Sequence, residues 1–369
     1  LNISRFNNPF YRFLGICTGI VMMFLRSTCV SAQLVTVTHG ADFMGLGAGA
    51  RYLGMGGTGV SFADDVMAGY WNPAGLASLE RPQIAYMHSE RFAGLVSYDF
   101  GSAAIPVDEA GAVIGVTFFR QAVDDIKNTT NAWDRDRGVP YPDAADRFEL
   151  FSASDMAFLI SYAGAGPVQW GVNAKFLYSK IGPFANAWGY SLDAGIQGNT
   201  GHTRWGVMLS DATTLSKFWT VNAGAFQDRE ANFDDVIPEG HNERTLPSLR
   251  AGLSHRFTLG RFSAAVAVES DMRFENRQTF YLNTGPVSYE PHLGLEIEAF
   301  KMLYLRGGLT NFYRENDEKL SPMPTIGAGL EFKHLSLDYG FDNFSGVSSV
   351  LGNTHRISLI YRFAEPKGK

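Results

Sequence analysis

The chain has 369 residues, a formal net charge of −6, 40 glycines and an aromatic complement of 28 Phe, 15 Tyr and 6 Trp. An acidic balance argues against nucleic-acid binding, and both cysteines, Cys17 and Cys29, precede residue 33, which leaves no disulfide, thiol nucleophile or cysteine metal site after it. Beyond residue 32 no apolar run approaches the roughly 20 residues of a membrane-crossing helix, so a membrane-spanning role has to use strands.

The first segment reads RFLGICTGIVMMFLRSTCVSAQ. Arg5 and Arg12 precede an apolar run from Phe13 to Leu25, and Val30-Ser31-Ala32 stands before Gln33. A basic start, a short apolar stretch and small residues before the break are the parts of a cleavable secretory signal, predicted over residues 1–32. Neither cysteine sits in the pattern of a lipidated one. Removal of this segment takes Arg5, Arg12 and Arg26 with it, leaving an exported chain more acidic still.

Next comes GMGGTGVSFADDVMAGYWNPAGLA, with Gly54, Gly56 and Gly59 in a formal G-x-G-x-x-G spacing. A dinucleotide site needs a preceding strand, a following helix and an acidic residue about 20 positions on. Here GLGAGARYL precedes, more glycine-rich turn than strand, and Asp64 and Asp65 come too early. The glycines instead suit a compact insert, because glycine permits positive φ and close backbone approach. Asp64 or Asp65 is placed to cap a short helix over DVMAGYW, and Asn72-Pro73 to stop it. Residues 33–82 therefore read as an N-terminal plug, or hatch, with Gly54, Gly56, Gly57, Asp64, Asp65, Asn72, Pro73 and Gly75 as its structural and gating residues.

From about residue 83 onward the pattern has period two. In VQWGVNAKFLY, Val168, Trp170, Val172, Ala174, Phe176 and Tyr178 alternate with Gln169, Gly171, Asn173 and Lys175. Ile326, Ala328, Leu330 and Phe332 alternate likewise, as do Leu335, Leu337, Tyr339 and Phe341, and Leu293, Leu295 and Ile297. About 14 such segments follow one another. Short links (PVDEAG, AGAGP, NTGHT, TLGR, FK, KH) alternate with longer polar ones near 127–154, 227–248, 274–286, 313–323 and 343–353. Short turns at one end and long loops at the other are the habit of an outer-membrane barrel, whose turns are periplasmic. A soluble sandwich also alternates, but gives no reason for that asymmetry.

Trp170, Trp205, Phe262, Phe332 and Phe363 lie near the short links, where an interfacial girdle belongs. Lys175, Asp193, Arg250, Glu269, Glu296, Glu298, Arg306, Glu331, Asp338 and Arg362 fall on the opposite face, which makes the interior a wet or plugged lumen. No apolar cluster stands out on that inner face. The barrel is predicted over residues 83–363, closing on HRISLIYRF, with a tail at 364–369.

The stretch ARYLGMGGTGVSFADDVMAGYWNPAGLA, through Arg51, Gly54, Gly56, Gly57, Ala63, Asp64, Asp65, Tyr70, Trp71, Asn72, Pro73, Ala74 and Gly75, resembles the N-terminal signature of the PorV/PorQ family of outer-membrane proteins. That family is similar to the FadL-type long-chain fatty-acid transporters, which share an Asn-Pro-Ala motif in their hatch. The resemblance implies an all-β, FadL-like transmembrane antiparallel barrel of 14 strands with a helix-bearing plug. It implies binding or shuttling of exported cargo with the type IX secretion components. The long loops would dock that cargo, with Trp133, Arg135, Arg137, Tyr141, Phe233 and Arg244 as candidate residues. The alternative is a passive transporter of hydrophobic small molecules such as long-chain fatty acids. An enzyme is not expected, since His88, His255, His292 and His334 are scattered without a supporting motif. The expected partners are outer-membrane lipid and either secreted cargo or a hydrophobic ligand; no nucleic acid, cofactor, metal or catalytic residue is predicted.

Overall fold

The computed structural model describes residues 42–108, 110–134, 137–226, 240–274, 282–283, 286–315, 319–343 and 353–364. The predicted signal segment, residues 33–41 of the plug, Arg135, Phe233 and the last five residues lie outside them. Along the described chain run β1 (Gln83–Arg91), β2 (Val96–Pro106), β3 (Val113–Asn128), β4 (Glu149–Gly164), β5 (Gln169–Ile181) and β6 (Ala185–Thr200). Then come β7 in two segments (Thr203–Ser210 and Leu215–Val221) and β8 in two segments (Asn242–Thr245 and Ser248–Leu259). The circuit is completed by β9 (Phe262–Arg273), β10 (Ser288–Ala299), β11 (Leu303–Glu315), β12 (Lys319–Phe332), β13 (Leu335–Asn343) and β14 (Asn353–Arg362). Each strand is antiparallel to its neighbours, and β1 pairs with β14 from Gln83↔Arg362 to Arg91↔Thr354. The result is a closed 14-strand barrel.

Closure follows from the solvent. In hydrocarbon an unpaired backbone N–H or C=O has no partner, so a spanning sheet has to meet itself. The side chains divide as the alternation requires. On β5, Trp170 (43% exposed) and Phe176 (47%) face out, while Asn173, Lys175 and Ser179 are buried within. At the short-turn ends Trp170 and Trp205 lie over their cross-strand partners Gly164 and Gly198, whose missing side chains make room for the indole rings. Among the described residues no helix is long and apolar enough to cross a membrane.

Two features depart from the loop pattern expected above. The β1–β2 and β5–β6 links, on the long-loop side, are tight turns; the first is made by Phe92 and Ala93 at φ 54 and 56 followed by Gly94 at φ 87. The 313–323 link is mostly strand, because β11 and β12 extend their ladder into it. A continuing hydrogen-bond ladder, not local polarity, decides where a barrel strand ends.

Inside the barrel sits the described part of the plug. It comprises a 3-10 turn (Asp42–Leu46), α1 (Ala50–Gly54), α2 (Ala68–Trp71) and a second 3-10 turn (Pro73–Ser78). The segment GLGAGARYL, expected to be more glycine-rich turn than strand, runs into the helix α1, with Gly49 as its N-cap and Gly54 as its last residue. The helix expected over DVMAGYW narrows to α2, and its stop at Asn72 (φ −162, ψ 105) matches the proline that follows.

Candidate functional site: the plug and its two walls

The glycines of the plug place its backbone against the backbone of the wall. Gly56 has φ 69, and a Cβ there would stand 2.5 Å from the carbonyl oxygen of Leu293; one on Gly54 would stand 2.9 Å from Cα of Gly327. Gly57 lies beside the His292 ring. The wall reciprocates, since a Cβ on Gly294 would meet the Met55 carbonyl at 2.6 Å and one on Gly340 the Ala50 carbonyl at 2.7 Å. The N–H groups that a phosphate cradle would require are already used. Gly56 donates to Thr325 Oγ1 at 3.0 Å, Gly57 to the Tyr52 carbonyl at 2.9 Å, and Gly59 and Val60 to Glu269 Oε2 at 2.7 and 2.9 Å.

Asp64 and Asp65 have different work. Asp64 accepts from Arg51 at 3.1 Å and from Arg204 on β7 at 2.9 Å. Burial favours its neutral form, but the two guanidinium groups outweigh that and bring its pKa down to about 2. Asp65 accepts from the Tyr52 hydroxyl at 3.1 Å and the Met67 N–H at 2.8 Å, so it holds the turn just ahead of α2 instead of capping the helix itself. Burial raises its pKa, which Arg51 only partly offsets. Arg51 continues to Glu296 on β10 at 3.1 Å, Glu296 to Arg306 on β11 at 2.8 Å, and Arg306 to Asp338 on β13 at 2.6 Å. Across the lumen the break in β7 turns Asp211 inward, where Lys175 lies 2.8 Å from it and 2.9 Å from Asp193.

The Asn-Pro-Ala stretch is a clamp. Asn72 Oδ1 accepts from the Ala74 N–H at 3.2 Å, capping the 3-10 turn that begins at Pro73. Its Nδ2 donates to the carbonyls of Val60 in the plug (2.8 Å) and Ile196 on β6 (3.1 Å). Gly75 packs on the Ala63 carbonyl, where a side chain would not fit.

The β2–β4 side of the lumen is aromatic, contrary to the expectation of an inner face without an apolar cluster. Tyr98 and Phe100 of β2 and Phe119 of β3 are 0% exposed. Tyr98 meets Phe119 edge to face at 4.3 Å, and Tyr70 of the plug stacks on Phe119 at 5.8 Å, with Phe43 and Trp71 adjoining. The signal was present in SYDFG, where aromatic and polar residues alternate with the inner and outer faces exchanged relative to the other strands. On the outer face of the same wall an apolar depression of about 520 Å³ is lined by Gly101, Val116, Phe118, Phe158, Ile160 and Phe176. Two axial cavities among the described residues are bordered by charged side chains. One of about 250 Å³ toward the short turns is lined by Arg51, Asp64, Glu296, Arg306 and Arg362, and one of about 180 Å³ toward the loops by Arg250, Asp271, Glu290, His292 and Arg356.

Of the predicted docking residues that are described, Trp133, Arg137 and Tyr141 share the β3–β4 loop, where the Tyr141 N–H donates to the Ala132 carbonyl at 3.0 Å. Trp133 sits exposed in a small hairpin with Pro140, Arg137 pairs with Asp134 at 3.7 Å, and Tyr141 lies under Arg147 at 4.0 Å. Arg244, placed in a loop by the sequence, belongs instead to the first segment of β8, opposite Ser216. The polar run NERT hides the strand because lumenal Glu243 and outward Arg244 are both charged.

No protein-family model and no curated sequence matches the chain. Among solved structures it is similar to the toluene transporter TodX of P. putida (12% identity, TM-score 0.53, covering 87% of this chain and 99% of that one). It is also similar to the CymD monoaromatic hydrocarbon channel (15%, TM-score 0.52, 86% and 98%) and to the toluene transporter TbuX of Ralstonia pickettii (14%, TM-score 0.52, 86% and 99%). The fold is thus that of FadL-like bacterial outer-membrane barrels, and the apolar belt places the chain in that membrane.

Proposed function

We propose that the protein is a passive outer-membrane channel for hydrophobic small molecules, the class that includes fatty acids and monoaromatic hydrocarbons. One observation carries this reading: the aromatic wall of Tyr98, Phe100 and Phe119 stands directly inside the strands whose outer face holds the apolar depression. A hydrophobic solute moving along the barrel axis meets charged cavities on both sides of the plug. At β2–β4 the side chains on both sides of the wall are apolar, and the inner ones are covered by Tyr70 of the plug, so that a shift of the plug would open a surface favouring residence there. The structural neighbours, whose names describe toluene and monoaromatic hydrocarbon transport, support the same class of solute. Uptake of radiolabelled toluene and palmitate by cells expressing the barrel tests it. Saturable uptake above that of barrel-free cells, reduced in Phe119→Ala, is expected; uptake equal to that of barrel-free cells counts against the reading.

A second reading, docking of exported cargo in type IX secretion, rests on the plug motif's resemblance to the PorV/PorQ family and on the exposed Trp133 in the outer loop. A photo-crosslinker at position 133 that captures a secreted protein in cells with a type IX system would favour it.

A further inference from the structure

We propose that Asp271, Glu290 and His292 form a divalent-cation site, of the kind that binds zinc, on the loop side of the plug. Asp271 of β9 is the register partner of Glu290 on β10, and His292 follows two residues later on the same lumenal face. One ligand atom from each lies within 4.8 Å of the others.

Three further observations point to a ligand. Arg250 meets Oδ2 of Asp271, at 2.9 Å, while Oδ1 is buried without a hydrogen-bond partner among the described residues, in a residue that is 7% exposed. A buried carboxylate oxygen with no donor is costly unless something cationic or hydrated meets it. His292 Nδ1 lies 2.8 Å from the Gly56 carbonyl, which can only accept, and 2.9 Å from Thr310 Oγ1, so Nδ1 carries a proton and in the neutral ring Nε2 keeps its lone pair. This is the arrangement in which a backbone carbonyl orients a metal-binding imidazole. Finally, a cavity of about 180 Å³ is bordered by all three residues together with Thr310 and Asn311, leaving room for the ion and its waters.

An imidazole with two carboxylates suits zinc and its neighbours better than calcium or magnesium, which favour all-oxygen sets. Arg250 also keeps the site from the high negative charge of a calcium cage. Because His292 holds Gly56, an ion here braces the plug against β9 and β10. The site is independent of the solute class proposed above.

The test uses the full-length barrel in detergent, stripped with chelator, titrated with Zn²⁺ by calorimetry and with Co²⁺ by visible absorption. One saturable Zn²⁺ is expected, weakened roughly tenfold or more in Glu290→Gln and in His292→Ala, with Co²⁺ bands that disappear in both. His255→Ala, which alters the His202–His255 pair at the short-turn end, should leave binding unchanged. Zn²⁺ should slow amide exchange at Gly56 to Val60 in the wild type and not in Glu290→Gln, a variant that leaves the His292–Gly56 bond in place. Absence of saturable binding, or wild-type affinity in both Glu290→Gln and His292→Ala, overturns the proposal.

Discussion

Glu269 on β9 accepts the backbone N–H of Gly59 at 2.7 Å, and the same oxygen accepts that of Val60 at 2.9 Å. A single wall carboxylate therefore terminates the glycine turn of the plug. Glu269→Ala leaves two buried donors unpaired at about 1–3 kcal/mol each, whereas Glu269→Gln retains an acceptor. Urea unfolding in micelles should rank the wild type above Glu269→Gln and Glu269→Ala lowest. Amide exchange at Gly59 and Val60 should quicken in the same order. Equal exchange in all three would show that the carboxylate does not anchor the turn.

Close backbone contact predicts a sharp contrast between two glycine substitutions. Gly294→Ala places a methyl 2.6 Å from both the Met55 carbonyl and Thr58 Oγ1, so the plug has to shift. Gly101→Ala faces outward with nothing within 4 Å. Single-channel conductance in planar bilayers should rise for Gly294→Ala, as a displaced plug admits ions, and stay at the wild-type level for Gly101→Ala.

The adjacent carboxylates respond to pH in opposite senses. The folded pKa of Asp64, about 2, lies below its ordinary value, so its contribution is complete above about pH 4 and is lost as pH falls through about 2. The folded pKa of Asp65 is raised, so its contribution is present below the ordinary carboxylate range and is lost as pH rises through the folded value. Carboxyl ¹³C chemical shifts should show Asp65 protonating first on acidification and Asp64 last. Thermal unfolding of Asp65→Asn should lack the gain on mild acidification, and that of Asp64→Asn should lack its share of the loss near pH 2.

What was legible in the sequence, and what was not, follows from the range of each interaction. Period-two alternation is local, so Val168 to Tyr178 showed a strand and its two faces without any knowledge of its neighbours. The charges of the lumen were legible as a face, but their partners were not. Lys175 meets Asp193 through the β5–β6 ladder and Asp211 only because β7 breaks there. Asp271 and Glu290 are neighbours only by the register of β9 and β10. Helix α1 was missed because it has only five residues, Ala50–Gly54, too few for a helical period to show. The aromatic wall was missed because β2 turns its aromatics inward, against the pattern of the other strands.

The outer face should behave as a lipid surface. Val268, the seventh of the twelve residues of β9, faces outward and is 51% exposed in the isolated chain. Val268→Arg should cost about 2–4 kcal/mol, the penalty near the bilayer midplane. Urea unfolding from phospholipid vesicles reads this directly, and a change near zero would place Val268 outside the hydrocarbon.

The route across β2–β4 is tested most directly by photoaffinity labelling in outer-membrane vesicles with a diazirine-bearing alkylbenzene, followed by mapping of the adducts. Lipid-facing residues such as Phe158 label in any case. The account predicts additional adducts on the lumenal residues Tyr98, Phe100 and Phe119, suppressed by excess toluene. Labelling confined to the lipid belt, with these three residues untouched, would contradict it.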